Sequence, residues 1–231
     1  TSAIEHPAIL NVLDRLKKFG IETTILKVDK TGIINPAHLK ETIRENTGLI
    51  SIMYANNETG VIQPLLKLSS IARDHGIPFH SDGVQAIGKI PVDVYKTGVS
   101  MMSFSAHKFY GPKGVGALFI KEDTQLKSFI IGGGQERNLR AGTENVPGIA
   151  GIGMAAELAK TELNKTETHL KNLEQMFKSS IIKRIENLMF NTASEQLPGV
   201  VSMTIPSIDS GKLIIGLSRR GMAVSSGSAC S

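Results

Sequence analysis

The sequence predicts an α/β protein built on a mainly parallel sheet flanked by helices, followed by part of a smaller α+β domain. Three observations carry this expectation. Apolar runs of strand length alternate with amphipathic runs of helical spacing, in a strand, polar loop, helix, strand rhythm. The strand runs are mostly apolar, as in parallel strands buried on both faces. Polar residues collect where those runs end, which is where open α/β sheets bind ligands.

Residues 7–19 open with Pro7 at a first helical position and place Ile9, Leu10, Val12, Leu13, Leu16 and Phe19 at helical spacing before Gly20. The β-branched run 21–28 reads as a strand closed by a turn at Lys30-Thr31-Gly32. Residues 36–44 read as helix, and 48–54 as a buried strand ending in the polar turn Ala55-Asn56-Asn57-Glu58-Thr59-Gly60. A helix from Pro64 to His75-Gly76 leads into 77–82, where Pro78 suits a strand start. Residues 99–105 and 114–120 read as two further buried strands, and 147–190 as helix, after which strand, helix and strand alternate. The change of pattern near residue 145 divides the chain into a larger domain, 1–145, and a linking helix with a partial second domain, 146–231.

Composition narrows the function. The 231 residues are 41% hydrophobic, with 23 glycines and a net charge of +5 (26 basic minus 21 acidic). This is globular composition and excludes collagen, coiled coil and disorder. No run of about 18 apolar residues occurs, and Thr1-Ser2-Ala3-Ile4-Glu5-His6 has neither a basic nor an apolar start, so neither a membrane span nor a secretion signal is expected. A lone Cys230 cannot close an internal disulfide, which fits a reducing, cytoplasmic compartment. The pI near 9.3 raises nucleic-acid binding. Yet basic and acidic residues alternate along 160–184 and no block of roughly five like charges appears, so direct nucleic-acid contact is not expected. None of the six His lies in a Cys-x-x-Cys or His-Glu-x-x-His setting, and His75 and His80 are loosely spaced, so no metal site is expected.

Asn57, Asp82 and Ser105-Ala106-His107-Lys108 stand at the ends of three separate strand runs. Lys108, set between small and aromatic residues just past a strand, is poorly solvated there; this favours the neutral amine and suits Schiff-base chemistry, the alternative being a surface lysine at a turn. Asp82, ending an apolar strand, suits the ring nitrogen of pyridoxal phosphate, although Ser81-Asp82-Gly83 is also a good turn. Gln85 and Asn57 are placed to reach the cofactor's phenolic oxygen, and Ser105 and His107 its phosphate. Gly111-Pro112-Lys113-Gly114-Val115-Gly116 precedes a strand rather than opening a helix, which excludes dinucleotide and P-loop readings.

These residues resemble the pyridoxal-phosphate-dependent cysteine desulfurases, class-V aminotransferase relatives within fold-type I. The resemblance runs in order through Glu5-His6, Asn56-Asn57-Glu58-Thr59-Gly60, Asp82-Gly83-Val84-Gln85, Ser103-Phe104-Ser105-Ala106-His107-Lys108, Gly132-Gly133-Gly134-Gln135-Glu136-Arg137, Arg140-Ala141-Gly142-Thr143 and Ser225-Ser226-Gly227-Ser228-Ala229-Cys230. The last segment is similar to the iron-sulfur-assembly and nitrogen-fixation type. The resemblance implies that Lys108 binds pyridoxal phosphate, Asp82 pairs with its pyridine nitrogen, and Gln85 and Asn57 contact its phenolic side. It further implies that Ser105 and His107 hold the phosphate, with Thr143 reaching that of a second subunit in a homodimer. His6 would stack on the ring and relay protons, or else simply cap a helix. Cys230, in a Ser/Gly loop that leaves a thiol accessible, would take sulfur from L-cysteine as a persulfide, releasing alanine. Iron-sulfur scaffolds or other sulfur acceptors would be its partners, and a transient cluster held partly by Cys230 is implied as well.

Two departures from the family pattern matter. Family chains extend beyond both ends of this sequence, including an Arg that clamps the substrate carboxylate, so the chain reads as a fragment. Gly83 replaces the usual Ala, which loosens the backbone beside Asp82. Selenocysteine lyase or aminotransferase chemistry, and a catalytically silent scaffold of the same fold, are the competing readings; Cys230 speaks against a transaminase, and Lys108 with Cys230 against a scaffold.

Overall fold

A computed structural model describes residues 1–191 and 195–227. Helix α1, Pro7–Lys17, starts as the sequence predicts, with Pro7 in its first turn and His6 Nδ1 accepting the Ala8 N–H at 3.1 Å. It stops two residues before Phe19, and Gly20 turns the chain at φ +79°. Helix α2, Pro36–Thr42, is capped by Asn35 and buries Leu39.

The central sheet follows: β1 Ile50–Ser51, helix α3 Leu65–Asp74, β2 Phe79–Asp82, a short helix α4 Val94–Thr97, β3 Met101–Ser105 and β4 Gly116–Ile120. Strand order is β1-β2-β3-β4, with β1, β2 and β3 parallel and β4 antiparallel to β3. Backbone bonding between β1 and β2 continues past the short strand, from Ile52 N–H to His80 O and from Tyr54 N–H to Asp82 O. Alternation along β2 sends Phe79 and Ser81 to one face and His80 and Asp82 to the other. Phe79, Ile50, Ile52 and Met102 join Leu65, Leu68 and Ala72 of α3 in the main core. Burial of such side chains stabilises by about 2 kcal/mol each.

Four sequence expectations are corrected here. Residues 21–28 form isolated bridges, Ser2 to Leu26 and Val28 to Ile34, instead of a strand. Leu26 alone of the Ile21, Ile25 and Leu26 trio is buried, so little apolar burial holds a ladder there. Strand β4 is an edge strand whose Gly116, Ala117 and Leu118 are exposed, not a buried one. The last long helix, α5 Val146–Ile181, begins at the expected place, with Asn145 capping the Gly148 N–H, but ends well before Phe190. Beyond it β5 Met189–Phe190 pairs antiparallel with β6 Met203–Thr204, and α6 spans Ser210–Ser218. No strand follows α6 among the described residues.

Candidate active site

Because β1, β2 and β3 run parallel, their carboxyl ends open at one edge of the sheet, and Asn57, Asp82 and the Ser105-to-Lys108 segment each follow or close one of these strands. Asp82 closes β2 in register with Ser103 of β3. It is 9% exposed, and its Oδ1 accepts the Val84 N–H at 2.9 Å, which fixes the carboxylate at the mouth of the following turn. Gly83 N–H bonds Ser103 O at 2.9 Å and locks that turn against β3. A Cβ on Gly83 would lie 2.8 Å from Met102 Sδ. Thus Gly83 makes room for a core methionine, and tight packing rather than loosened backbone accounts for the residue.

Ser105 ends β3 and leads into a 3₁₀ turn, Ala106–Phe109, that carries His107 and Lys108. Ser105 makes no side-chain bond to this turn's amides. Lys108 is half-buried and His107 exposed. Phe104 and Phe109, 6.3 Å apart, flank the segment. Tyr110 ends the turn in the left-handed region at φ +67° with its ring in solvent.

Asn57 sits half-buried in the turn after β1. Its neighbour Asn56, part of the same sequence motif, builds that turn: its Oδ1 accepts from the Glu58 and Thr59 N–H groups and its Nδ2 donates to Ile4 O. Gly60 completes the turn at φ +76°, packed so closely that a Cβ would meet Val200 at 2.9 Å. Gln85 is half-buried beyond Asp82 and accepts from Lys89 Nζ at 2.6 Å. His6 acts as the cap of α1. Thr143 is exposed on the loop before α5. Cys230 lies outside the described residues.

Three titratable residues not foreseen from the sequence surround the strand ends. Glu5 is 5% exposed; its Oε1 accepts from Ser2 Oγ and the Met53 N–H, while Oε2 is buried without a partner. Burial pushes its carboxyl up to about 7, and the charge of Asp82 adds to the shift. Burial lowers the His80 imidazole, against the pull of Asp82. Burial, then the charge of Lys108, lowers the Lys89 ammonium. No cluster of three His, Cys, Asp or Glu able to hold a metal occurs among the described residues. Two cavities lie away from Asp82, one between α1 and residues 20–26 and the other between α4 and α5.

Comparison with known proteins matches this geometry. The chain is 47% identical over its full length to cysteine desulfurase IscS of Dictyoglomus turgidum, covering 59% of that protein, and 41% identical to a mitochondrial cysteine desulfurase of Arabidopsis thaliana, covering 51%. Among solved structures, a NifS-like protein superposes with a TM-score of 0.91 at 39% identity, over 96% of this chain and 61% of that one. A NifS-like protein from Rickettsia africae does so with a TM-score of 0.90 at 33% identity, over 98% and 63%. The sheet and helices are therefore those of the fold-type I enzymes. The chain spans about 60% of the length of the first of these curated relatives. With the class-V aminotransferase profile running unbroken over residues 1–231 and the expected Asp and Lys at the ends of adjacent parallel strands, the chain belongs to the class-V aminotransferase family.

Proposed function

We propose that this chain forms the larger part of a pyridoxal-phosphate-dependent cysteine desulfurase, acting on L-cysteine to give alanine and a Cys230 persulfide that supplies sulfur for iron-sulfur assembly and thiolation. The observation that carries the reading is the placement of Asp82 and the Ser105-to-Lys108 segment at the ends of neighbouring parallel strands. The residues fit the cofactor. A buried carboxylate already tethered by one backbone N–H suits a protonated ring nitrogen, and Ser105, uncommitted to helix capping, suits a phosphate.

Bound there, pyridoxal phosphate would supply an electron sink for charge developing at the cysteine Cα. Asp82 would hold the proton on the pyridine nitrogen, and the Lys108 amine would attach the cofactor and move the Cα proton. Gln85 and Asn57 would hold the phenolic side, His6 would cover the ring, and Ser105, His107 and the partner subunit's Thr143 would anchor the phosphate. The Cys230 thiolate would then attack the substrate sulfur: one S–S bond forms, one C–S bond breaks, and alanine leaves. We assign the cofactor domain to 1–145 and the part bearing Cys230 to 146–231, in a cytoplasmic homodimer that hands sulfur to acceptor proteins. No helix among the described residues is long and apolar enough to cross a membrane.

The test uses the complete gene product with added pyridoxal phosphate. A visible cofactor band lost in Lys108→Ala, with sulfide and alanine release lost in Cys230→Ser, is expected. A band with transamination and no sulfide would assign an aminotransferase, and no band a scaffold.

A further inference from the structure

We propose that His80 is a positioning residue that cross-ties the three strands carrying the cofactor-binding groups. The inference rests on the pyridoxal-phosphate reading above. His80 lies two residues before Asp82 on β2, so both side chains project from the same face of the sheet. Its Nδ1 lies 2.8 Å from Ser51 Oγ on β1, and its Nε2 lies 3.2 Å from Ser103 Oγ on β3. One imidazole thus spans three parallel strands on the site side. Ser51 and His80 are register partners, as are Asp82 and Ser103, so the tie lies one pleat before Asp82 on the same face of the sheet.

The chemistry of the tie is complementary. A neutral imidazole has one N–H donor and one acceptor nitrogen, and each serine hydroxyl both donates and accepts, so either tautomer satisfies both bonds. Burial favours that neutral ring. An imidazolium would have two donors, and an apolar residue none. Each tied strand leads within a few residues to a group assigned to the cofactor: β1 to Asn57, β2 to Asp82, and β3 to Ser105 and Lys108. A small slip of β3 along β2 would move Lys108 relative to Asp82, and the hydrogen bonds of His80 oppose that slip. Backbone ladder bonds alone do not orient the side chains on this face.

The test compares wild type, His80→Leu and His80→Gln as complete gene products, reading pyridoxal-phosphate affinity, the wavelength of the visible band, the split between KM and kcat, and the melting temperature. In His80→Leu, affinity is expected to fall on the order of tenfold, the scale of a lost net hydrogen bond, with a shifted band. His80→Gln retains a donor and an acceptor and is expected to recover affinity to within about threefold. Should His80→Leu not fold, Ser51→Ala and Ser103→Ala each remove one bond at little change in volume and are expected to lower affinity without a matching loss of melting temperature. Unchanged affinity and band in folded variants, or equal losses in His80→Leu and His80→Gln that track melting temperature, would overturn the assignment. A wild-type protein without any visible band would instead remove the cofactor reading on which it rests.

Discussion

Lys89 donates from Nζ to Gln85 Oε1 at 2.6 Å, four residues apart in the turn beyond Asp82. Lysine has only donors, so this bond assigns the amide: the oxygen faces Lys89 and the NH₂ is turned away from it. That leaves the Gln85 NH₂ free of Lys89 and available for the phenolic-side role proposed for it above. Lys89→Met is therefore expected to weaken pyridoxal-phosphate binding several-fold, roughly the effect of 1 kcal/mol, while Lys89→Arg keeps most of it. Titration of the cofactor into the two variants checks this.

Glu5 makes stability depend on pH in the direction opposite to an ordinary ion-paired carboxylate. Its folded pKa, pushed up by burial to about 7, lies above that of an ordinary glutamate, so the folded state binds the extra proton. The stabilisation is complete below the unfolded pKa and is lost as pH rises through 7, about 3 kcal/mol in all. Glu5→Gln keeps an acceptor for the Met53 N–H and has no proton to lose. Chemical denaturation between pH 5 and 8 is expected to show a falling midpoint for wild type and a flatter profile for Glu5→Gln, with the variant more stable at pH 8.

The turn at Asn56 to Gly60 carries Asn57, and its geometry depends on Gly60. Gly60 donates its N–H to Asn56 O at 3.0 Å and its carbonyl accepts from the Leu197 N–H at 2.8 Å. Gly60→Ala would add left-handed strain of about 1–2 kcal/mol and force a Cβ against Val200 and Gln196. A loss of more than about 2 kcal/mol is expected, since overpacking adds to the strain. Gly20→Ala has the same sign of φ but nothing within 4 Å of its Cβ, so it serves as the control and is expected to lose only the strain. The comparison is read from urea midpoints.

How much of this was legible in the sequence depends on whether the deciding contact is local. Helix starts at Pro7, Pro36 and, to within one residue, Pro147 were legible, because cap and first turn lie within four residues. That residues 21–28 form only isolated bridges was not legible, because β structure needs a partner, and a run rich in β-branched residues does not say whether one is present. The exposure of β4 is likewise a property of its place at the sheet edge, not of Gly116-Ala117-Leu118. Asp82 and Lys108 could be read as strand-end residues from chain order alone. Glu5 could not: its acceptor role is set by Met53, 48 residues away. His80 lacks metal-ligand spacing to the other histidines, yet its i, i+2 relation to Asp82 puts both on one face of a predicted strand. Only the register of β1 and β3 supplied the two serines.

Gly83 and Met102 form a packing pair that tests whether side-chain volume beside Asp82 is shared between adjacent strands. Met102 is fully buried, and its Sδ and Cγ would lie 2.8 and 2.9 Å from a Cβ on Gly83. Gly83 does not have a positive φ, so an alanine there meets crowding and no backbone strain. Methionine is flexible and can retreat in part, which limits the expected cost of Gly83→Ala to about 1–2 kcal/mol. Met102→Val alone would open a small void and destabilise by a similar amount. Combined, the new methyl group would occupy space that the shorter side chain vacates. The double variant is therefore expected to be more stable than the sum of the single effects by at least about 0.5 kcal/mol. Simple additivity in a double-mutant cycle of denaturation midpoints would show that the two positions do not share space in solution.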